Sequence, residues 1–155
     1  MRIFLAALVS VLFSTPAASG ASGSIVVSDA WSRPATGTAV VYATLRNDGN
    51  VADRLVGATS PLATSVELHE SSETKVAGAP MMMGNVKMPM GNSMMSMKAL
   101  SSIPIPAHGS ASLHPGGYHL MLDVRRDLHA GDVIPLRLHF ARAGWIATKV
   151  SVRAI

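Results

Sequence analysis

In "VIPLRLHF", residues 133–140, apolar and polar side chains alternate without a break. Ile134, Leu136, Leu138 and Phe140 fall on one side of an extended chain, and Arg137 and His139 on the other. A period of two marks a half-buried strand. Strand readings also fit "SIVVSDAW", "AVVYATLRN", "ADRLVGATS", "ATSVELHE", "MSMKAL", "IPIPAHGSASLH", "YHLMLDV" and "GWIATKVSV". Between them stand turn signals such as "RPATGT", "NDGN", "PGG" and "LHAGD". No window beyond residue 23 carries a strong helical period. The pattern predicts an all-β domain of about seven to nine strands, an antiparallel sandwich or barrel.

The first residues read differently. "MRIFLAALVSVLFSTPAASGASG" sets Arg2 before the apolar run Ile3–Phe13, and small residues follow. That order is the pattern of a secretory signal, and the apolar run is too short to span a bilayer. We read residues 1–22 as a signal peptide, cleaved near Gly20 to Gly23, and residues 23–155 as one exported domain. The expected location is the periplasm, with no membrane span after cleavage. The chain has no cysteine, so a lipid-anchored form is not expected. Formal net charge is +4. Lys and Arg are scattered rather than striped, which gives no nucleic-acid footprint. A monomer is expected.

The most unusual stretch is "APMMMGNVKMPMGNSMMSMK". Between Met81 and Met97 it holds eight of the chain's ten methionines. Gly84, Asn85, Pro89, Gly91 and Asn92 exclude a stable helix. The segment reads as an irregular insertion over about residues 79–95, with two Gly-Asn turns that could fold it back on itself. A methionine run can fill gaps in a core, but here turn residues interrupt it every few positions.

Three strands place histidine and methionine opposite their aliphatic residues. "YHLMLDV" sets His119 and Met121 against Leu120 and Leu122. "SVELHE" sets Glu67 and His69 against Val66 and Leu68, and "MSMKAL" puts Met95 and Met97 together. Thioethers are soft ligands that select Cu(I), and imidazole suits copper too. Without cysteine, a blue-copper centre and a thiol reductase are both excluded. Taken alone, His119-Leu120-Met121 fits a metal site and a packed methionine beside a satisfied histidine equally well. Glu70, next to His69, is the candidate hydrogen-bond partner for that ring; a solvated carboxylate is the other reading. His108 and His129 lie in turns and read as solvated, as does His139 beside Arg137. Trp31 and Trp145 read as core or edge packing. No Ser/His/Asp order, paired-acid motif or phosphate loop stands out, so an enzyme is not expected.

"VELHE", "MSMKAL", "HPGGYHLML" and "AGDVIPLRLHF", with "DAWSRP" and "DRLVGATSP" upstream, resemble the PCuAC-type periplasmic copper chaperones. The family pattern is a His, ten residues, a Met, twenty-one residues, then His-x-Met. Met97 is followed by 21 residues and His119-Leu120-Met121, which matches the second half. The resemblance implies a cupredoxin-like sandwich binding Cu(I) through His69, Met97, His119 and Met121. It implies delivery of copper to the copper A centre of a respiratory cytochrome c oxidase, with that subunit or a Sco-type protein as partner. Cu(II) remains a second candidate ion.

The first half departs from the pattern, with 27 residues between His69 and Met97. A rival alignment gives the third ligand to Met81, separated from His69 by 11 residues. Met97 is preferred because its spacing to His119 is intact and "MSMKAL" still reads as a strand. The insertion then extends the hairpin between the His69 and Met97 strands. Met81, Met82, Met83, Met88, Met90, Met94, Met95 and His114 are candidate accessory ligands. Two other functions fit the same residues: copper storage or resistance using the Met-rich loop, and a metal-free envelope interaction domain.

Overall fold

The computed structural model describes residues 24–77, 82–83, 86–87 and 91–154. The signal-peptide reading of residues 1–22 lies outside them. Twelve strands follow in order: β1 Ile25–Ser32, β2 Thr38–Asn47, β3 Asp53–Thr59, β4 Ala63–Ala77, β5 Met82–Met83, β6 Val86–Lys87, β7 Gly91–Leu100, β8 Ile103–Ile105, β9 Ser110–Leu113, β10 Tyr118–Val124, β11 Val133–Phe140 and β12 Gly144–Val152. No helix occurs among the described residues.

Ten strands form one sheet in the order β7-β4-β10-β9-β2-β1-β12-β11-β3-β8, and β10 also pairs with β2. The sheet curls into a nearly closed barrel, so that β3 lies against β4 and β8 against β9. Two pairings depart from the antiparallel expectation: β1 with β12 and β9 with β10 run parallel. The strand count also exceeds the expected range. "IPIPAHGSASLH" is two strands, because Pro106 lacks a ladder donor and His108 turns the chain at a φ of 51°.

The alternation in β11 is realised as read. Ile134 and Phe140 are fully buried, and Leu136 and Leu138 are nearly so. Each stabilises the fold by about 1.5–3 kcal/mol. They join Leu45, Leu55, Ile103, Ile105, Leu120 and Leu122 in one core. On the outer face, His139 is not simply solvated. Its ring stacks on Trp145 at 4.3 Å and 8°, with the Arg137 guanidinium 5.2 Å from the same indole. Trp31 likewise packs outside the core, between Tyr42 and Arg153.

Two polar groups close the connections. Asn47, fully buried, donates to the Val51 carbonyl and accepts from the Gly49 N–H, which seals the "NDGN" turn. Asp53 sits at the start of β3, and its carboxylate accepts N–H bonds from Arg54, Arg142 and Ala143 at 2.7–2.9 Å. It thereby fastens the β11–β12 turn to β3.

The Met-rich segment is more regular than the sequence suggests. β4 and β7 stay paired from Leu68↔Leu100 out to Ala77↔Gly91. β10 accompanies β4 only as far as Tyr118↔Glu70. Beyond that point the two strands continue as a two-stranded ribbon. The pair Gly91-Asn92, expected as a turn, lies inside β7 opposite Ala77 and Val76. A strand tolerates glycine when the partner strand supplies the ladder. β5 and β6 pair with each other as a separate two-stranded sheet; the other expected Gly-Asn turn, at Gly84-Asn85, lies outside the described residues.

Candidate metal site

β4 and β10 are antiparallel neighbours, and their register sets His69 directly opposite His119. The core fixes this register. Leu68 pairs with Leu120 and Val66 with Leu122 on the inner face, and a slip of one residue would turn those side chains out of the core. The odd-numbered residues then share the opposite face: Glu67 and His69 on β4, His119 and Met121 on β10. The two imidazole rings are 5.8 Å apart, inclined at 58°. His119 is 4% exposed even though it points away from the aliphatic core.

Met121 stands across from Glu67, one diagonal step from His69. On the other side of β4, Ala99 is opposite His69 and Met97 is opposite Ser71. Met97 is therefore also one diagonal step from His69, about 7–8 Å between backbones. The four residues form an oblique band across three strands, with the histidines in the middle and a thioether at each end. Met97 belongs to the first pair of the ribbon, and 59% of it is exposed.

Hydrogen bonds orient both histidines. His69 Nε2 lies 2.9 Å from a Glu67 carboxylate oxygen. His69 Nδ1 is buried and has no hydrogen-bond partner. His119 Nδ1 lies 3.0 Å from the Gly117 carbonyl. The same carbonyl accepts the Ser71 N–H at 3.0 Å, which ties the turn before β10 to β4. A buried polar atom without a partner is uncommon, and the ring that carries it is the one paired across the strands with His119. An imidazole nitrogen without a hydrogen-bond partner keeps a lone pair available to a metal ion.

The carboxylate that touches His69 is Glu67, not Glu70. Glu70 is one residue further along the strand, on the opposite face, where alternation places it. The signal for Glu67 was present in the sequence, since it sits two residues before His69. His114 is exposed and stands at the start of the turn that leads into β10. Its Nδ1 lies 3.0 Å from its neighbour's carbonyl, that of Pro115. Its ring packs against Gly117, where an added Cβ would fall 2.6 Å from two ring atoms. Met95 is opposite Glu73 on the ribbon and is 67% exposed. Met82, Met83 and Met94 lie in strands. Met81, Met88 and Met90 lie outside the described residues.

Among the described residues no group of three or more His, Cys, Asp or Glu could hold a metal. Harder ions that want such donors find no ready cage there. The thioether-bearing residues Met97 and Met121 share the face of the histidine pair, and thioethers favour Cu(I).

Comparison with known proteins gives the family and the fold. The family model described as "Putative lipoprotein LpqE-like" matches residues 25–152. A protein of Leifsonia xyli subsp. xyli named "Putative lipoprotein Lxx21020" is 31% identical over 131 residues, covering 83% of this chain and 69% of that protein. Among solved structures, the copper-bound PCuAC domain from PmoF2 superposes with a TM-score of 0.63 at 23% identity, over 86% of this chain and 95% of that one. The Cu(I) form of DR1885 from Deinococcus radiodurans superposes with a TM-score of 0.51 at 26% identity, over 89% of this chain and 86% of that one. The chain belongs to the LpqE-like family and has the cupredoxin-like fold of the PCuAC domains.

Proposed function

We propose that this protein is a copper chaperone of the cell envelope that carries one Cu(I) between His69 and His119, with Met97 and Met121 completing the site. The observation that carries the reading is the buried, unpartnered Nδ1 of His69 beside the ring of His119. The copper-bound relatives of the same fold support it, as does the envelope location implied by the relative named a lipoprotein. Four neutral donors hold a soft monovalent ion without adding a net charge of their own. Such a site releases the ion readily to a thiolate-bearing acceptor by ligand exchange. The acceptor we propose is the copper A subunit of a cytochrome c oxidase, directly or through a Sco-type protein.

Cu(I) titration against a competing chelator tests the reading. The expected result is one tightly held ion per chain. It should persist when residues 78–90 are replaced by Asn-Gly, a two-residue turn matched to the Ala77↔Gly91 pairing. The exposed thioethers of Met95 and Met97 favour a second reading, copper storage on the ribbon. Several ions per chain, lost on the same replacement, would establish storage instead.

The choice of third ligand has its own test. Met97→Ala should weaken Cu(I) binding by about tenfold or more, whereas Met81→Ala should leave it within about twofold. The expectation rests on register: Met97 lies a diagonal step from His69. The reverse ranking would move the ligand to Met81.

A further inference from the structure

We infer that Glu67 and the Gly117 carbonyl fix the two histidines in opposite ring tautomers, so that the pair offers one Nδ1 and one Nε2 lone pair. Glu67 is thereby a positioning residue for His69. Its function as such rests on the copper reading above, but the tautomers themselves do not.

The acceptors decide the protons. A carboxylate accepts and does not donate, so the His69 nitrogen at 2.9 Å from Glu67 must carry hydrogen. That nitrogen is Nε2. A second proton on Nδ1 would be a buried N–H with no acceptor, since that atom has no partner. Nδ1 therefore keeps its lone pair. At His119 the logic runs the other way. A carbonyl also only accepts, so Nδ1 at 3.0 Å from Gly117 carries the hydrogen and Nε2 is bare.

The two orienting groups are held differently. The Gly117 carbonyl is held by the Ser71 N–H, within a turn closed by the bond from the Gly117 N–H to the His114 carbonyl. Glu67 is a largely exposed side chain, 62% accessible, held by its contact with His69. The control of His119 is built into the backbone; that of His69 rests on one carboxylate. Using different nitrogens also lets two directly opposed rings reach one ion without competing for the same volume.

Long-range proton–nitrogen NMR of the metal-free protein reads the tautomers directly, recorded at about pH 8.5, above the ordinary imidazole range. The expected spectrum shows His69 with a pyridine-like Nδ1 and His119 with a pyridine-like Nε2. Glu67→Ala should bring His69 into tautomer exchange and leave His119 unchanged, which also reports an intact fold. Glu67→Gln, whose amide oxygen still accepts, should restore much of the His69 preference. Cu(I) affinity of Glu67→Ala should fall by about 10–100-fold, the range for a lost ligand-orienting partner. Hydrogen on Nδ1 of His69 in the parent protein would overturn the inference. So would a His69 tautomer that Glu67→Ala leaves unchanged, whatever the affinity does. Tautomers as stated in a protein that binds no Cu(I) would uphold the ring assignment and sink the copper reading alone.

Discussion

His119→Ala is expected to weaken Cu(I) binding more than about 100-fold, beyond the 10–100-fold typical of losing an outer partner. His119 is the buried half of the histidine pair, and the carbonyl of Gly117 holds its ring in place. No other described histidine lies across from His69. His69→Ala should cost a similar factor. The double variant should cost much less than the product of the two, because each single change already breaks the two-imidazole site and leaves little for the second to remove. Non-additivity of that kind is the mark of residues acting as a unit. Competition with a chromogenic Cu(I) chelator measures all three, and circular dichroism checks the fold. A His119→Ala protein that binds within about threefold of the parent would remove the pair from the site.

Much of this centre was legible because strands simplify the problem. Alternation alone put His119 and Met121 opposite Leu120, and Glu67 and His69 opposite Leu68. The core residues Leu68, Leu120 and Leu122 then fixed the faces, as their burial confirms. Register is a different kind of information. Nothing local in "SVELHE" or "YHLMLDV" sets His69 opposite His119. That follows from the β4–β10 pairing, a contact between segments fifty residues apart in sequence. Sequence adjacency made Glu70 the apparent partner of His69, yet in a strand the neighbour on the same face is two residues away. The ribbon was hidden for a related reason. Gly91 and Asn92 have weak intrinsic strand preference, and only the ladder to Ala77 and Val76 holds them extended. The division of "IPIPAHGSASLH" was readable in principle from Pro106 and Gly109, which bracket the turn at His108.

Asp53→Ala should be among the most destabilising single changes in the barrel, lowering stability by about 3–4 kcal/mol. The carboxylate is 7% exposed as a residue and accepts three backbone N–H groups. Hydrogen bonds to a charged acceptor contribute about 1.5–3 kcal/mol each, and they are not additive within one cluster. Alanine would also leave the Arg142 and Ala143 N–H groups without their acceptor where the β11–β12 turn meets β3. For a domain stable by about 5–15 kcal/mol, this is a large fraction. Asp53→Asn keeps one oxygen acceptor and replaces the other with a donor that faces an N–H. It should fall between the parent and alanine. Urea unfolding followed by tryptophan fluorescence is well placed to read the series, because Trp145 lies just beyond this turn, stacked on His139. An alanine midpoint close to the parent's would mean that water replaces the carboxylate at little cost. Because this turn belongs to β3, β11 and β12 and the histidine pair to β4 and β10, Asp53→Asn should retain Cu(I) affinity under conditions where it stays folded. A loss of both together would show that the turn and the site are coupled through the core.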